Sequence, residues 1–150
     1  MITGVFRVLV LLGSGVTAGV LFAVALSVLP ALSVMPADRY VYAHKLIGRY
    51  WDPTMPAIVL SSTAVDLALT WLLQPPASWW YAAGAALLLT VSVVSHFANV
   101  PINRTVKVLD PDRIPVGWHD PRPLWRRWHR LRTVLALLAL AANATAALMI

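Results

Sequence analysis

Three polar side chains stand at the end of a long uncharged stretch in the middle of the chain. His96, Asn99 and Asn103 occupy positions i, i+3 and i+7, so a continuous helix places them on one face. An imidazole can take up a proton near neutral pH, and amides can stabilise a developing oxyanion by hydrogen bonding. Pro101 interrupts this face, because it lacks a backbone donor and crowds the carbonyl of Phe97. The pattern predicts a helix that ends or kinks here and turns polar groups toward protein or a wet cavity.

A second group of residues with the right types for chemistry lies further along the sequence. Trp125, His129 and Arg132 stand at i, i+4 and i+7, with Trp128 beside them. The helix thus turns one histidine and one arginine inward, and the arginine is a candidate partner for a buried acid or for an anionic substrate group. Three more arginines take the opposite side of the same predicted helix, where they can meet lipid phosphates: Arg126, Arg127 and Arg130.

Two other segments contribute ionisable or aromatic candidates. Tyr40 and His44 share one face of a short amphipathic stretch, which we expect at headgroup level, either binding a substrate or simply interfacial. Asp66 is the one acid of the second predicted span, where a charge costs about 2.5–3.5 kcal/mol on insertion scales. We therefore expect Asp66 to face the interior, with Arg132 as its best partner, unless Arg132 holds an anionic substrate group. A structural ion pair or a protonated carboxyl are the alternatives to a binding role.

These candidates belong to a chain with the composition of an integral membrane protein. The sequence is 59% hydrophobic and 12% charged, whereas a soluble domain carries roughly 25% charged residues. We predict one all-α transmembrane domain, a four-helix bundle with a short interfacial helix after the first span and a long proline-rich loop before the fourth. A GxxxG pattern at Gly15 and Gly19 permits close helix packing. The predicted spans of this domain, over residues 1–150, are approximately 5–29, 55–73, 79–99 and 125–149.

Charge and cysteine content narrow the setting further. The net charge is +6, and eleven of the twelve basic residues fall on one side of the predicted membrane. The positive-inside rule makes this side cytoplasmic, with both termini outside, as in a bacterial inner-membrane protein. Clustered charge of this kind favours an anionic membrane face over nucleic acid as the partner. The absence of cysteine excludes disulfides, thiolate metal sites and cysteine nucleophiles.

The four-span layout and two motifs resemble a known family. The motifs are Asn99-Val-Pro-Ile-Asn103 and Trp125-x-x-Trp-His-x-x-Arg-Thr133, and the resemblance includes Asp52-Pro-x-Met-Pro56 at the entry to the second span. Together they resemble small bacterial membrane proteins grouped with the fungal anthrone oxygenases. The resemblance covers nearly the whole chain. It implies an oxidoreductase that converts anthrones to anthraquinones with dioxygen, a monooxygenase reaction of polyketide biosynthesis.

Such a reaction assigns roles to the candidate residues. An anthrone needs a base to remove a ring proton, for which His129 and His96 are the candidates. Arg132, Asn99 and Asn103 can hold the oxyanion, while Trp125 and Trp128 stack on the substrate, which can enter from the membrane. The enzyme is then independent of a cofactor. In a variant, iron or copper is bound by nitrogen and oxygen ligands from separate segments, with these candidates: His44, His96, His129 and Asp66.

A different class of function stays open at this point. The chain can be a non-catalytic membrane subunit, a component of a homo-oligomer or a small transporter in which Asp66 couples protons. A transporter needs polar residues near the midplane of several helices, whereas an enzyme pocket can gather them at one mouth. All four histidines fall at the basic mouth, which favours the pocket. Residues of these types also cap helices and extend to lipid headgroups in proteins where they form no functional site.

Overall fold

The structure is a computed structural model that describes residues 2–149, without the side chain of Asp52. The carboxylate of the Asp52-containing motif therefore lies outside the described residues. The described chain is helical with no strand, and four stretches are long and apolar enough to cross a membrane. These results confirm the predicted all-α membrane bundle. The four spans are Ile2–Val34, Pro53–Leu72, Ala77–Lys107 and Arg122–Leu148.

Within residues 2–149 the chain forms seven α-helices and two π-helical segments. The first π segment is Val24–Val28 and the second π segment is Ser95–Asn99. Each joins two α-helices into one continuous span, so the first and third spans are longer than predicted. In chain order the α-helices are α1 Ile2–Ala23, α2 Leu29–Val34, α3 Ala37–Ile47, α4 Trp51–Leu72, α5 Ala77–Val94, α6 Val100–Lys107 and α7 Arg122–Leu148.

Both π segments end two residues before a proline, Pro30 in the first span and Pro101 in the third. A proline inside a helix lacks a backbone donor, and its ring crowds the carbonyl four residues earlier. A widened turn relieves that crowding and lets the helix continue. The third span therefore passes through Pro101 and ends at Lys107, and the expected helix break takes the form of a π segment.

Two glycines bring helices close together, and neither belongs to the GxxxG pattern. A Cβ at Gly13 of α1 would collide with the Ser62 side chain on α4, and one at Gly84 of α5 would collide with the Asn143 amide on α7. In contrast, a Cβ at Gly15 would find its nearest neighbour 4.0 Å away, and one at Gly19 would find no described atom within 4 Å. The close packing that the GxxxG pattern permits is therefore not found at these two positions.

The α3 end of the bundle is closed by α3 and by the loop before α7. Tyr40 and Val41 of α3 pack in an apolar cluster with Leu32, Val106 and Trp125. The irregular part of the predicted proline-rich loop is residues 108–121, because α6 and α7 take up both ends of that loop. The Lys45 ammonium donates to the Leu109 carbonyl at 3.0 Å and pins the start of this loop.

Arg122 fixes the start of α7 against the end of the first span. Its Nη1 donates to the carbonyls of Leu32 at 3.0 Å and Met35 at 2.6 Å, at a helix C-terminus that favours a cation. Its Nη2 lies 2.7 Å from the Asp120 carboxylate, and its guanidinium stacks 4.9 Å from the Tyr40 ring centroid. This group of contacts positions the first turns of α7, which carry the second set of candidate residues.

Candidate functional site

A cavity of about 690 Å³ opens at the α3 end of the bundle, lined by side chains from all four spans and from α3. Small-molecule sites have volumes of about 300–1,000 Å³, so this cavity has the size of a ligand site. Most of the lining is apolar. Seven of the ten candidate residues line it: His44, His96, Asn99, Asn103, Trp125, His129 and Arg132.

Arg132 and His129 are joined to each other inside this cavity. The Arg132 Nη2 donates to His129 Nδ1 at 2.9 Å, and its Nη1 donates to the Ser95 hydroxyl at 3.0 Å. Because arginine only donates, His129 Nδ1 is the acceptor, and its Nε2–H donates to the Leu21 carbonyl at 2.9 Å. The imidazole is thus the neutral Nε2–H tautomer with both nitrogens engaged. In this arrangement His129 orients the guanidinium and has no nitrogen free for a substrate proton.

The backbone acceptor of this network lies one turn before the first π segment. The Leu21 carbonyl receives the His129 bond and also lies 3.3 Å from the Thr133 hydroxyl, which donates to the His129 carbonyl at 2.9 Å. Ser95, the other partner of Arg132, opens the second π segment. Widened helix turns are frequent at functional sites, and here one follows the Leu21 carbonyl and the other carries Ser95.

Four lining side chains have buried polar atoms without a hydrogen-bond partner. These atoms are both amide atoms of Asn99, Nε1 of Trp125, Nε of Arg132 and Oδ1 of Asn103, and Asn99 is only 1% exposed. An unsatisfied buried polar group costs about 1–3 kcal/mol, and native proteins contain few of them. Other such atoms among the described residues lie outside the lining, on Arg7, Tyr40, Asp66, Tyr81 and Asn143. Those at the cavity have room for a polar ligand atom as partner. The set includes N–H donors on Asn99, Trp125 and Arg132, which suit an anionic oxygen.

Aromatic rings connect the loop to the cavity in one continuous row. Trp118 lies 6.1 Å from Tyr40, Tyr40 lies 5.4 Å from His44, His44 lies 5.4 Å from Trp125, and Trp125 lies 5.6 Å from His129, all between ring centroids. The Trp125 indole is therefore held between two imidazoles. Aromatic pairs at these separations add about 0.5–1.5 kcal/mol each beyond their buried area. The row fixes the indole before any ligand binds.

Tyr40 and Trp128 lie outside the cavity lining. Tyr40 is fully buried in the apolar cluster beside Arg122. Its burial raises the pKa of Tyr40 to about 12, with the Asp120 charge adding to the effect and the Arg122 charge opposing it. Trp128 is half-buried on α7. Tyr40 thus supports the site through packing, and its role as a substrate-binding residue stays a prediction.

Asp66 lies far from the cavity and does not pair with Arg132. Its Oδ2 accepts a hydrogen bond from the Asn143 amide at 3.3 Å, and both side chains are fully buried beside Gly84. Arg132 and Asn143 are eleven residues apart on α7, which is about 16 Å at 1.5 Å per residue. The expected ion pair is absent because the acid sits at a different depth in the bundle.

The alternative metal ligands are not brought together. His44 and His129 lie on either side of the Trp125 ring, His96 is exposed, and Asp66 is at the other end of the bundle. Among the residues that the structure describes, no group of three or more His, Asp or Glu side chains is arranged to hold a metal ion. The donor set His44, His96, His129 and Asp66 therefore does not form one site.

Sequence reasoning missed Ser95 and the Asp120–Arg122 pair. Ser95 stands four residues before Asn99, so the helical spacing of the polar face would have included it. The pair spans the start of α7, where the Asp120 carboxylate also accepts from the Arg122 backbone N–H at 2.9 Å. Burial alone would raise the pKa of Asp120, but the hydrogen bonds and charge of Arg122, with a contribution from His119, outweigh it and lower that pKa.

Comparison with known proteins agrees with the motifs. The family model described as anthrone oxygenase matches residues 44–142, which is more than half of the chain and runs from α3 into α7. This range contains all seven candidate residues that line the cavity. Searches of curated proteins and of solved structures gave no match. The chain therefore belongs to the anthrone oxygenase family.

Proposed function

We propose that this protein is a membrane-embedded oxygenase that uses dioxygen to oxidise a flat, hydrophobic, anthrone-like aromatic bound in the cavity. The observation that carries the proposal is the set of unpartnered buried N–H donors at the cavity of an anthrone oxygenase family member. The apolar remainder of the lining suits a polycyclic ring, and its polar groups suit one oxygen-bearing edge.

The chemistry balances without an added reductant. Removal of one proton from the ring methylene of an anthrone gives an enolate, with charge shared between the methylene carbon and the carbonyl oxygen. That carbon forms a bond to dioxygen and becomes a hydroperoxide after protonation. Loss of water then breaks the O–O bond and the remaining C–H bond and leaves a second carbonyl. One oxygen atom enters the quinone and the other leaves as water, so the protein must supply a base, an oxyanion site and a dry cavity.

The oxyanion site is assigned to Asn99, Trp125 and Arg132. Each has an N–H group without a partner in a buried position at the cavity, which suits an oxygen that becomes more negative during proton removal. A single donor of this kind contributes about 10²–10³ in kcat in well-studied oxyanion sites. Asn103 has an unpartnered amide oxygen and takes the role of an acceptor for a substrate hydroxyl.

The base is assigned to His96 in preference to His129. His129 can accept a proton at Nδ1 only after Arg132 releases its hydrogen bond, and its Nε2–H is held by the Leu21 carbonyl. His96 lines the cavity, contacts Phe97 edge-on at 4.9 Å and has no hydrogen-bond partner among the described residues. His129 is then a positioning residue for Arg132.

The membrane setting follows the charge distribution. The bacterial inner membrane is the proposed location, with the protein as a single transmembrane domain whose basic α3 end is cytoplasmic and whose termini are both outside. A polyketide-type aromatic is the proposed substrate class. The transporter alternative has little support, because Asp66 lies in the packed part of the bundle and away from the cavity.

Isotope labelling tests the proposed reaction. Purified protein in detergent is supplied with an anthrone and ¹⁸O₂, and the quinone is examined by mass spectrometry after correction for spontaneous oxidation. Protein-dependent product that carries one ¹⁸O atom, and that is lost in His96→Ala, supports the proposal. Product formed at the spontaneous rate, or product that takes its new oxygen from water, contradicts it.

A further inference from the structure

We infer that the cavity opens sideways into the bilayer through a portal between the N-terminal half of α4 and the second π segment, and that a lipophilic aromatic substrate enters there. The identity of the substrate rests on the proposed function. The opening itself does not, since it follows from the helix packing and from the exposure of the lining residues.

The first observation is a gap in the helix packing. Along its length α4 packs against α1 and α5, whereas α6 packs against α3, and the second π segment packs against α5, α6 and α7. This packing leaves a space beside the start of α4, and the cavity extends into it. One wall is formed by Met55, Pro56, Val59 and Leu60, and the other by Ser92, Val93, His96 and Phe97.

The second observation is that five of the eight wall residues are also exposed, three of them large and apolar. Leu60 is 53% exposed, Val93 is 47% exposed and Phe97 is 73% exposed, although all three line the cavity. A side chain within a membrane span can line a cavity and face the acyl chains together only at the edge of an opening. These three residues, on both sides of the gap, define the portal.

Polarity changes along the path from the portal inward. The three portal residues are apolar, His96 is exposed beside Phe97, and Asn99 is buried further along the lining, with Arg132 partly buried. A flat aromatic that is concentrated in the bilayer can pass such an opening without exchanging its apolar surface with water. Its oxygen-bearing edge then meets the N–H donors, while its remaining ring surface stays toward the portal.

The cavity also has a polar rim in a different place, so the inference chooses between two routes of entry. Gly48, Arg104 and Lys107 line it at the α3 end. Entry across this rim would bring an apolar molecule past two basic side chains. Protons and water-soluble reagents are suited to that route, whereas a lipophilic ring is suited to the portal.

A single introduced thiol can report the route, because the natural chain has no cysteine. Val59→Cys places the thiol at a buried position of the cavity wall. Proteoliposomes that contain this variant are treated with N-(1-pyrenyl)maleimide, which partitions into the bilayer, or with a charged methanethiosulfonate reagent in the water phase. The inference predicts labelling at least tenfold faster by the pyrenyl reagent, with each rate normalised to its reaction with an unstructured cysteine peptide in the same vesicles.

Bulky substitutions at the portal sharpen the test. Val93→Trp in the Val59→Cys background should slow pyrenyl labelling at least tenfold, and Phe97→Ala should speed it severalfold. The matched control is Leu89→Trp, one turn from Val93 on the same face of α5 and 52% exposed, but outside the cavity lining. It should leave the labelling rate unchanged.

The outcomes separate this inference from the proposed function. Labelling needs no oxidation of an anthrone, so it decides the portal even if the protein lacks oxygenase activity. Faster labelling from the water phase, or equal rates in Val93→Trp and Leu89→Trp, overturns the portal and assigns entry to the polar rim. If the proposed function also holds, Val93→Trp should raise KM for an anthrone supplied in liposomes and leave kcat nearly unchanged.

Discussion

At the packed end of the bundle, Asn143 hydrogen-bonds Asp66 and fills the space above Gly84. At the α3 end the Asn99 amide is equally buried but has no hydrogen-bond partner among the described residues. Asp66 and Asn143 each keep one oxygen without a partner, so hydrogen bonding alone does not separate the two ends. What separates the two ends is the space around the two amides. Asn143 is packed against a neighbouring helix, and Asn99 lines a cavity of about 690 Å³.

Residue size and proline placement explain this difference. The buried face of α7 beyond Thr133 carries alanines, which let helices approach closely: Ala136, Ala139, Ala142 and Ala146. The first turns of α7 carry Trp125 and His129 on that face, and the facing spans are widened by their π segments. We infer that a buried amide in this bundle ties helices together where small residues surround it, and serves a ligand where large residues and prolines hold helices apart.

The largest expected effect is on Arg132. Arg132→Gln removes the Nε donor together with the guanidinium that His129 and Ser95 hold in place by hydrogen bonds. We therefore expect kcat for anthrone oxidation to fall about 10²–10³-fold. Oxygen uptake with the purified variant measures this. Arg130→Gln is the matched control, since Arg130 is exposed on the same helix and should retain full activity. Equal activity of the two variants would remove Arg132 from the reaction.

The packed end should respond in stability instead of activity. Gly84→Ala places a methyl group against the Asn143 amide, and overpacking of this kind costs about 1–3 kcal/mol. Gly15→Ala is the control, because its Cβ would find its nearest neighbour at 4.0 Å. Thermal unfolding in detergent should show a lower Tm for Gly84→Ala alone. A Gly84→Ala protein as stable as Gly15→Ala would mean that this end is not tightly packed.

A smaller effect is expected at Ser95. Ser95→Ala removes one of the hydrogen bonds that hold Arg132, and a hydrogen bond to a charged group contributes about 1.5–3 kcal/mol. Because His129 still holds the guanidinium, we expect kcat to fall about tenfold or less. Ser92→Ala, at another serine of the cavity lining, should leave kcat unchanged. Loss of activity as deep as that of Arg132→Gln would show that His129 alone cannot orient the guanidinium.

The smallest effect concerns the pH dependence of the contacts around Tyr40. Burial raises the pKa of Tyr40 to about 12, and the ordinary value is about 10. The neutral phenol is therefore favoured in the folded state, and its contribution to stability is complete below pH of about 10 and is lost as the pH rises through about 12. Thermal unfolding at these pH values should show a weaker alkaline loss in Tyr40→Phe than in Tyr42→Phe, whose side chain is exposed on the same helix. Identical profiles would contradict the burial of this phenol in the folded protein.

The sequence predicted the fold, and most of its candidate site residues line one cavity, for a clear physical reason. Hydropathy and helical spacing are local properties, and they correctly separated the spans and placed two polar faces, one with Asn99 and one with His129 and Arg132. The partner of each side chain depends on how neighbouring helices are shifted along their axes relative to one another. The spacing of residues along one helix carries no information about that shift. For that reason Asp66 was expected beside Arg132 and is found beside Asn143.

The course of the chain through the prolines was harder to predict. Pro101 indicates a break, but whether the helix stops or widens depends on the packing of α6 against α3 on the far side. That both His129 nitrogens are hydrogen-bonded was also not predictable, because one partner is the backbone carbonyl of Leu21, which has no signal in the sequence. Side-chain types therefore left His129 and His96 as candidate bases, and the hydrogen bonds of His129 favour His96 in the proposed reaction.

The central claim is that the amide at the α3 end serves a ligand and the amide at the packed end serves the fold. The most direct test compares Asn99→Leu with Asn143→Leu, measuring oxygen uptake with an anthrone and thermal unfolding on the same purified samples. We expect Asn99→Leu to keep the wild-type Tm or raise it and to lose about 10²–10³-fold in kcat. Asn143→Leu should lower the Tm and, below that Tm, retain most of its activity. An Asn99→Leu protein that oxidises anthrone at the wild-type rate, or one that fails to fold while Asn143→Leu is unaffected, would contradict the claim.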